Sequence, residues 1–286
     1  LRKSALYLIG KIMKKITYLA VAAALLASQG AMAACSDIDP VKLTTYAKGT
    51  TNTGGYGLPL WATVVDETGI VCYVVTSGAP GASAGNAAWL GSRVISAQKA
   101  NTANDFSVDG YAISTANLYS AVQPGGSLYG LQHSNPVDPA IAYNIPDPTK
   151  LGTGATDPLV GNRVGGVNVF GGGLALYKGG KKVGALGVSG DTSCRDHANA
   201  WQIRANLGLQ PTAPTVGITT YNVDAYGKLQ HNLPGATAGD EIIINADTDD
   251  NSYWTGWSQP ACPNSLGLTA AENKANGTLL LKHDQR

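Results

Sequence analysis

Four small groups of residues in this chain have types and spacings suited to chemistry. His133 lies in YGLQHSNPVD, with Tyr129 four residues before it, after a glycine turn. An imidazole and a phenol on a loop can ligate a metal or bind a ligand, and loops on a rigid scaffold tend to carry such groups. His197 follows Asp196, a carboxylate placed to orient its ring, on what reads as the surface of a helix. Arg93 and Lys99 are cations suited to a ligand carboxylate, but at six residues apart they project about 120° from each other on a helix. Ser189, Gly190 and Asp191 form a glycine corner before a helix start, where unpaired amides can hold an anion. Ordinary strand-to-helix packing explains the same corner and is the simpler reading. His231 and His283, near the C-terminal end, carry no distinguishing context.

No enzyme constellation accompanies these groups. Ser189 in GVSGD resembles G-x-S-x-G only superficially, because Asp stands at position 191, and no Asp/His pair is evident beside it. Asp66 and Glu67 sit where a solvated hairpin turn accounts for them. The chain therefore reads as a binding protein rather than a catalyst.

The elements that must position these residues are legible from glycine and periodicity. LPLWATVVDETGIVCYVVT, Leu58 to Thr76, holds two β-rich runs around a turn ending in Gly69. GGVNVFGGGLALYKGGKKVGALGVSG, Gly165 to Gly190, holds two more, with Gly179 and Gly180 at the tip between lysines. Small and apolar residues at helical spacing predict one helix from Ala87 to Ala103 and another from Ser114 to Val122. The segment after Asp191 predicts a further helix ended by Gly208. Four prolines with Asp and Asn between Ser134 and Asp157 predict a long irregular surface loop.

Residues 1–33 read as a secretory signal peptide: Lys14 and Lys15 precede an apolar run from Ile16 to Leu26 that ends at Ala31-Met32-Ala33, with Met13 as the start. The run is too short to span a membrane, and no later segment qualifies. The leader holds five of the twenty basic residues and none of the nineteen acidic ones, so fifteen against nineteen leaves the mature chain at −4. Its cations are scattered, which excludes a nucleic-acid stripe. Cys35, Cys72, Cys194 and Cys262 remain, an even number in an exported chain, and predict two disulfides. Their spacing leaves three connectivities open. Cys35 beside a short helix and Cys72 on a strand form one natural pair, and Cys194 to Cys262 would then tether the tail. The divisions expected are 34–210 for the domain and 211–286 for a C-terminal extension.

WATVVDETGIVCYVVTSGAPGAS at Trp61 to Ser83, SRVISAQKANTAN at Ser92 to Asn104, and VGGVNVFGGGLALYKGGKKVGALGVSGDTSCRDHANA at Val164 to Ala200 together resemble the GlcG/HbpS family, which includes the PduO C-terminal type of domain. The likeness is closest to exported four-cysteine members called haem-binding proteins. The resemblance implies an α/β (α+β) fold, a three-layer α-β-α domain with a mainly antiparallel sheet, assembled as a homo-oligomer. It also implies non-covalent haem as the cofactor, for sequestration or sensing of haem or iron. His133 is then the expected axial ligand, and Lys99, at the family's K-A-x-T position, the expected partner of a propionate. Two rival readings are a catabolic enzyme or binder of small hydroxy acids or aldehydes, and a structural surface-assembly subunit. The chain departs from shorter members by lacking a long opening helix, by the insertion at Ser134 to Asp157 and by the tail.

Overall fold

Alternation in the first hairpin sets the architecture. Ala62 and Val64 point to one side of their strand and Trp61 and Val65 to the other, and all are buried, so the strand needs cover on both faces. The computed structural model describes residues 33–50, 55–82, 84–85, 89, 91–211, 221–223, 229–231, 239–245, 258–259 and 278–281. The expected leader lies almost entirely outside the described residues. In chain order the elements are α1 (Ala33–Asp37), α2 (Pro40–Lys48), β1 (Trp61–Asp66), β2 (Val71–Thr76) and α3 (Ser92–Phe106). Then follow α4 (Leu131–Ser134), α5 (Pro139–Ala142), β3 (Thr153–Gly154), β4 (Gly173–Lys178), β5 (Lys181–Ser189) and α6 (Ser193–Leu207).

These strands form one sheet in the order β3-β2-β1-β5-β4, antiparallel at every pairing. α3 covers one face against β1, β4 and β5, while α1, α2 and α6 cover the other. The result is the three-layer α-β-α arrangement. Val94, Ala97, Ala100 and Ala103 of α3 pack on Val65, Val74 and Ala185, and Leu43, Ala200 and Ile203 pack on Val64, Leu176 and Leu186. The second hairpin turns at Gly179 and Gly180, both at positive φ (56° and 81°), as its tip requires. Cys35 in α1 is bonded to Cys72 in β2, one of the two expected disulfides. Cys194 is also disulfide-bonded, and its expected partner Cys262 lies outside the described residues.

Three expectations are corrected. The helix over Ser114 to Val122 is two successive 3₁₀ turns, Thr115–Leu118 and Ser120–Val122, the first held by a capping box between Ser114 and Asn117. The insertion is structured: Asp138 caps α5 and Asp147 caps a 3₁₀ turn at Pro148–Lys150, each with proline at the first helical position. It then adds β3 to the sheet edge, Gly154 pairing Val74. Two of the four prolines that suggested a loop, Pro139 and Pro148, are helix starts. Asp66, expected to be solvated, is fully buried and accepts the amides of Thr68 (2.8 Å) and Ile70 (3.0 Å), so it builds the turn.

Within the extension, strand β8 (Ile242–Asn245) pairs in parallel with β9 (Ser258–Gln259) and β10 (Thr278–Leu281), and β6 (Tyr221–Val223) pairs with β7 (Leu229–His231). The residues before β8 pack onto the domain. Asp240 forms a buried two-pronged ion pair with Arg204 of α6, one arm at 2.9 Å, and Asn117 Nδ2 donates to the Glu241 carbonyl at 3.1 Å.

Candidate functional site

α3 and α6 lie in different layers, yet both begin at the same end of the sheet, where β5 finishes at Ser189. A cavity of about 350 Å³ lies between them. α3 turns Ser92, Ile95 and Lys99 toward it, spaced three and four residues apart and so on one face. α6 supplies Ser193 and Asp196, the end of β5 supplies Ser189, and the corner after it supplies Asp191. Trp89 and Phe170, 48 % and 46 % exposed, form apolar walls. The volume lies near the small end of the range for ligand sites.

The floor is an ion pair. Lys99 Nζ donates to Asp196 Oδ2 at 2.8 Å and to the Val188 carbonyl at 3.0 Å, and both side chains are buried. Burial pushes the Lys99 ammonium below its ordinary pKa, against the pull of Asp196. Burial likewise pushes Asp196 up to about 6, although Lys99 and the Asp191 amide favour its charged form. The pair is held by mutual need rather than by solvent.

Asp191 differs. Its carboxylate accepts the amides of Tyr56 (2.9 Å), Leu58 (2.9 Å) and Thr192 (2.7 Å) and a guanidinium N–H of Arg195 (2.6 Å). Burial raises its pKa, but these donors outweigh burial and hold it below the usual carboxylate range. Asp191 therefore anchors the loop before β1 to the corner. Its oxygens are fully engaged.

The expected site residues are thus divided. Lys99, Ser189 and Asp191 converge on the cavity, with Gly190 in the corner between the last two. Arg93 points elsewhere: it makes a buried two-pronged ion pair with Asp157 and lies 5.9 Å from the Trp61 ring centre. Asp157 also accepts the amides of Gly152 and Leu159, so Arg93 ties the insertion to α3. His133 is exposed on α4, edge-on to Tyr129 at 6.5 Å between ring centres, and neither lines the cavity. His197, expected on a helix surface, is fully buried and stacked on Trp201, behind Gly171. Asp196 does not orient it, being turned to Lys99.

Neither ring nitrogen of His197 has a well-formed hydrogen bond among the described residues. Burial lowers its pKa to about 3, with Asp240 opposing and Arg204 and Lys99 assisting the shift. The unfolded chain takes a proton near 6.5 and the native ring does not, so this residue's contribution is present above pH 6.5 and is lost as pH falls toward 3. His197→Gln is expected to lose less stability than the parent between pH 7 and pH 4.5, by urea midpoints at both values. Equal losses would refute that account.

Ser92, Ser193, Trp89 and Phe170 were not singled out from sequence. The one available signal was the Ser92-Ile95-Lys99 spacing. Among the described residues no group of three His, Cys, Asp or Glu side chains could hold a metal ion, and no helix is long and apolar enough to cross a membrane.

A family model described as "Haem degrading protein HbpS-like" matches residues 42–204, more than half of the chain. The chain belongs to the HbpS-like family. The match takes in all five strands of the main sheet together with α3 and most of α6, so the cavity lies inside the HbpS-like region. No curated protein matches the chain. Among solved structures it is similar to the Klebsiella pneumoniae protein ORFY, a DUF336 protein, at 25 % identity over 54 % of this chain and 78 % of that one, with a TM-score of 0.35. It is also similar to the PduOC:heme complex, at 24 % identity over 59 % of this chain and 89 % of the other, with a TM-score of 0.38.

Proposed function

We propose that this HbpS-like chain is an exported, homo-oligomeric haem-binding protein that sequesters or senses haem, with one edge of the tetrapyrrole in the cavity between α3 and α6. Membership of the family over residues 42–204 carries the reading. The cavity supports it: Trp89, Phe170 and Ile95 offer apolar surface to a flat ring, and Lys99 and Ser92 offer polar groups to its carboxylate edge. No His, Cys, Met or Tyr lines the cavity among the described residues, so the lining suits the ring's face and edge, and the iron's axial donor comes from outside it. Removal of 1–33 and tethering of 211–286 through Cys194 and Cys262 belong to the same reading.

Hemin titrated into the purified protein is expected to give a saturable Soret shift. Trp89→Ala with Phe170→Ala should weaken binding by roughly tenfold or more, from lost apolar burial. His133→Ala and His197→Ala, read by the same band, identify the donor. Absence of any saturable shift in the parent removes the haem reading. The cavity's modest volume favours one alternative, a small carboxylic acid in the same place.

A further inference from the structure

Three observations at the cavity point to an anionic group that the fold itself does not supply. Ser92 is 3 % exposed and lines the cavity, yet its hydroxyl has no hydrogen-bond partner among the described residues. A buried hydroxyl is normally paired, so an unpaired one calls for a ligand. Lys99 has three N–H donors, of which Val188 and Asp196 take two, and the third has no acceptor among the described residues. Both fifteen-residue helices, α3 and α6, also present their first turns to the same space. The cap of α3 is Gly91, which has no side chain to satisfy its amides.

We propose that this cavity is a carboxylate subsite, in which the ligand carboxylate takes the Ser92 hydroxyl and Lys99 Nζ while Asp196 is neutralised by a proton taken from solvent. The porphyrin form of the proposal rests on the haem-binding reading; the small-acid form does not. Among the described residues, Asp196 is the one anion of the lining that must give way. Asp191, the other carboxylate there, is engaged by Tyr56, Leu58, Thr192 and Arg195. The charged and titratable groups around Asp196 are Lys99 from α3, Asp191 from the corner, and Arg195 and His197 beside it on α6. Arg195 is turned to Asp191, and His197 is neutral. Since burial already raises Asp196 to about 6, its proton is readily held when a second carboxylate approaches. No bond is made or broken other than this proton transfer.

The test uses the intact protein, with sodium benzoate as the free-acid probe in calorimetry and hemin against hemin dimethyl ester as the porphyrin probes by Soret titration. Carboxylate affinity is expected to rise about tenfold per pH unit from pH 8 toward 6 and to level off below, because one proton is taken up with each ligand. Ser92→Ala, which removes no existing hydrogen bond, should weaken the carboxylate probes roughly tenfold. Asp196→Asn should flatten the pH profile, and circular dichroism checks that it folds. Should that variant fail to fold, the Ser92→Ala and pH results decide alone. Hemin binding tighter than its diester, with the difference erased by Ser92→Ala, assigns the subsite to a propionate. Benzoate binding with the same pH slope, and hemin equal to its diester, assigns it to a free acid. If neither probe responds to pH or to Ser92→Ala, the proposal is overturned, while a Soret shift would still support haem binding. Benzoate binding without any Soret shift would leave the subsite standing and remove the haem reading.

Discussion

Lys99→Met is expected to destabilise the protein by about 3–5 kcal/mol at pH 8, the cost of leaving one member of a buried ion pair unpaired. Asp196 is fully enclosed, and its remaining donor is the Asp191 amide at 3.0 Å. A carboxylate in that position must either keep a charge in a dry setting or hold a proton. Its pKa already stands near 6 with Lys99 present and rises further without it. The unfolded chain releases that proton near 3.8, whereas the native chain holds it to higher pH. A raised carboxyl pKa lowers stability as pH climbs from 3.8 through the native value. The penalty is therefore smaller at pH 5 than at pH 8. Urea midpoints at the two values measure it, and a loss below about 1 kcal/mol at pH 8 would refute the account, being the size of an exposed pair. The double variant Lys99→Met, Asp196→Leu should recover most of the loss, because a buried pair replaced by apolar groups is often neutral or better. It separates the pair's part in folding from its part in binding.

Gly187→Ala is expected to cost about 3 kcal/mol, at the upper end for an overpacked core. A Cβ placed there would stand 2.0 Å from the Ser96 carbonyl oxygen and 2.5 Å from the Ala100 amide nitrogen, both backbone atoms of α3. Neither can move without lifting the helix from β5. That shift would also part Thr63 from Ser96, whose hydroxyls meet at 2.6 Å between β1 and α3, and would widen the cavity that α3 forms. Weakened near-ultraviolet dichroism with retained far-ultraviolet signal is the expected signature, since packing goes before secondary structure. Unchanged stability, or a crystal structure with α3 in place, would contradict it. Gly187 lies in the VGALGVSG run of the second hairpin, where a glycine can serve turning or close packing. At this position close packing is the reason.

Much of the fold was legible because the responsible forces are local. Both hairpins follow from β-branched runs and glycine turns, and α6 from the glycine corner before it and Gly208 as its stop, while the structure gives its cap to Thr192. The insertion was misread because Asp-Pro marks a helix start as well as a loop, and only the following residues' packing decides between them. The site was less legible. Lys99 pairs with a residue 97 positions away and Arg93 with one 64 away, and nothing near either cation names its partner. The two sit on one helix with the same charge, yet Lys99 lies on the face toward β5 and α6 and Arg93 on the face toward the insertion.

By itself, the sequence determined the antiparallel hairpins, the helix that follows the glycine corner and the family, since each depends on residue order within short segments. Which cations are structural and which line the cavity, that His197 is enclosed while His133 is exposed, and that Ser92 is left without a partner among the described residues were decided by the tertiary structure alone. The physical reason is burial. A charge or a hydroxyl takes its chemical meaning from the solvent it has lost and the partner it has gained, and both come from residues far along the chain.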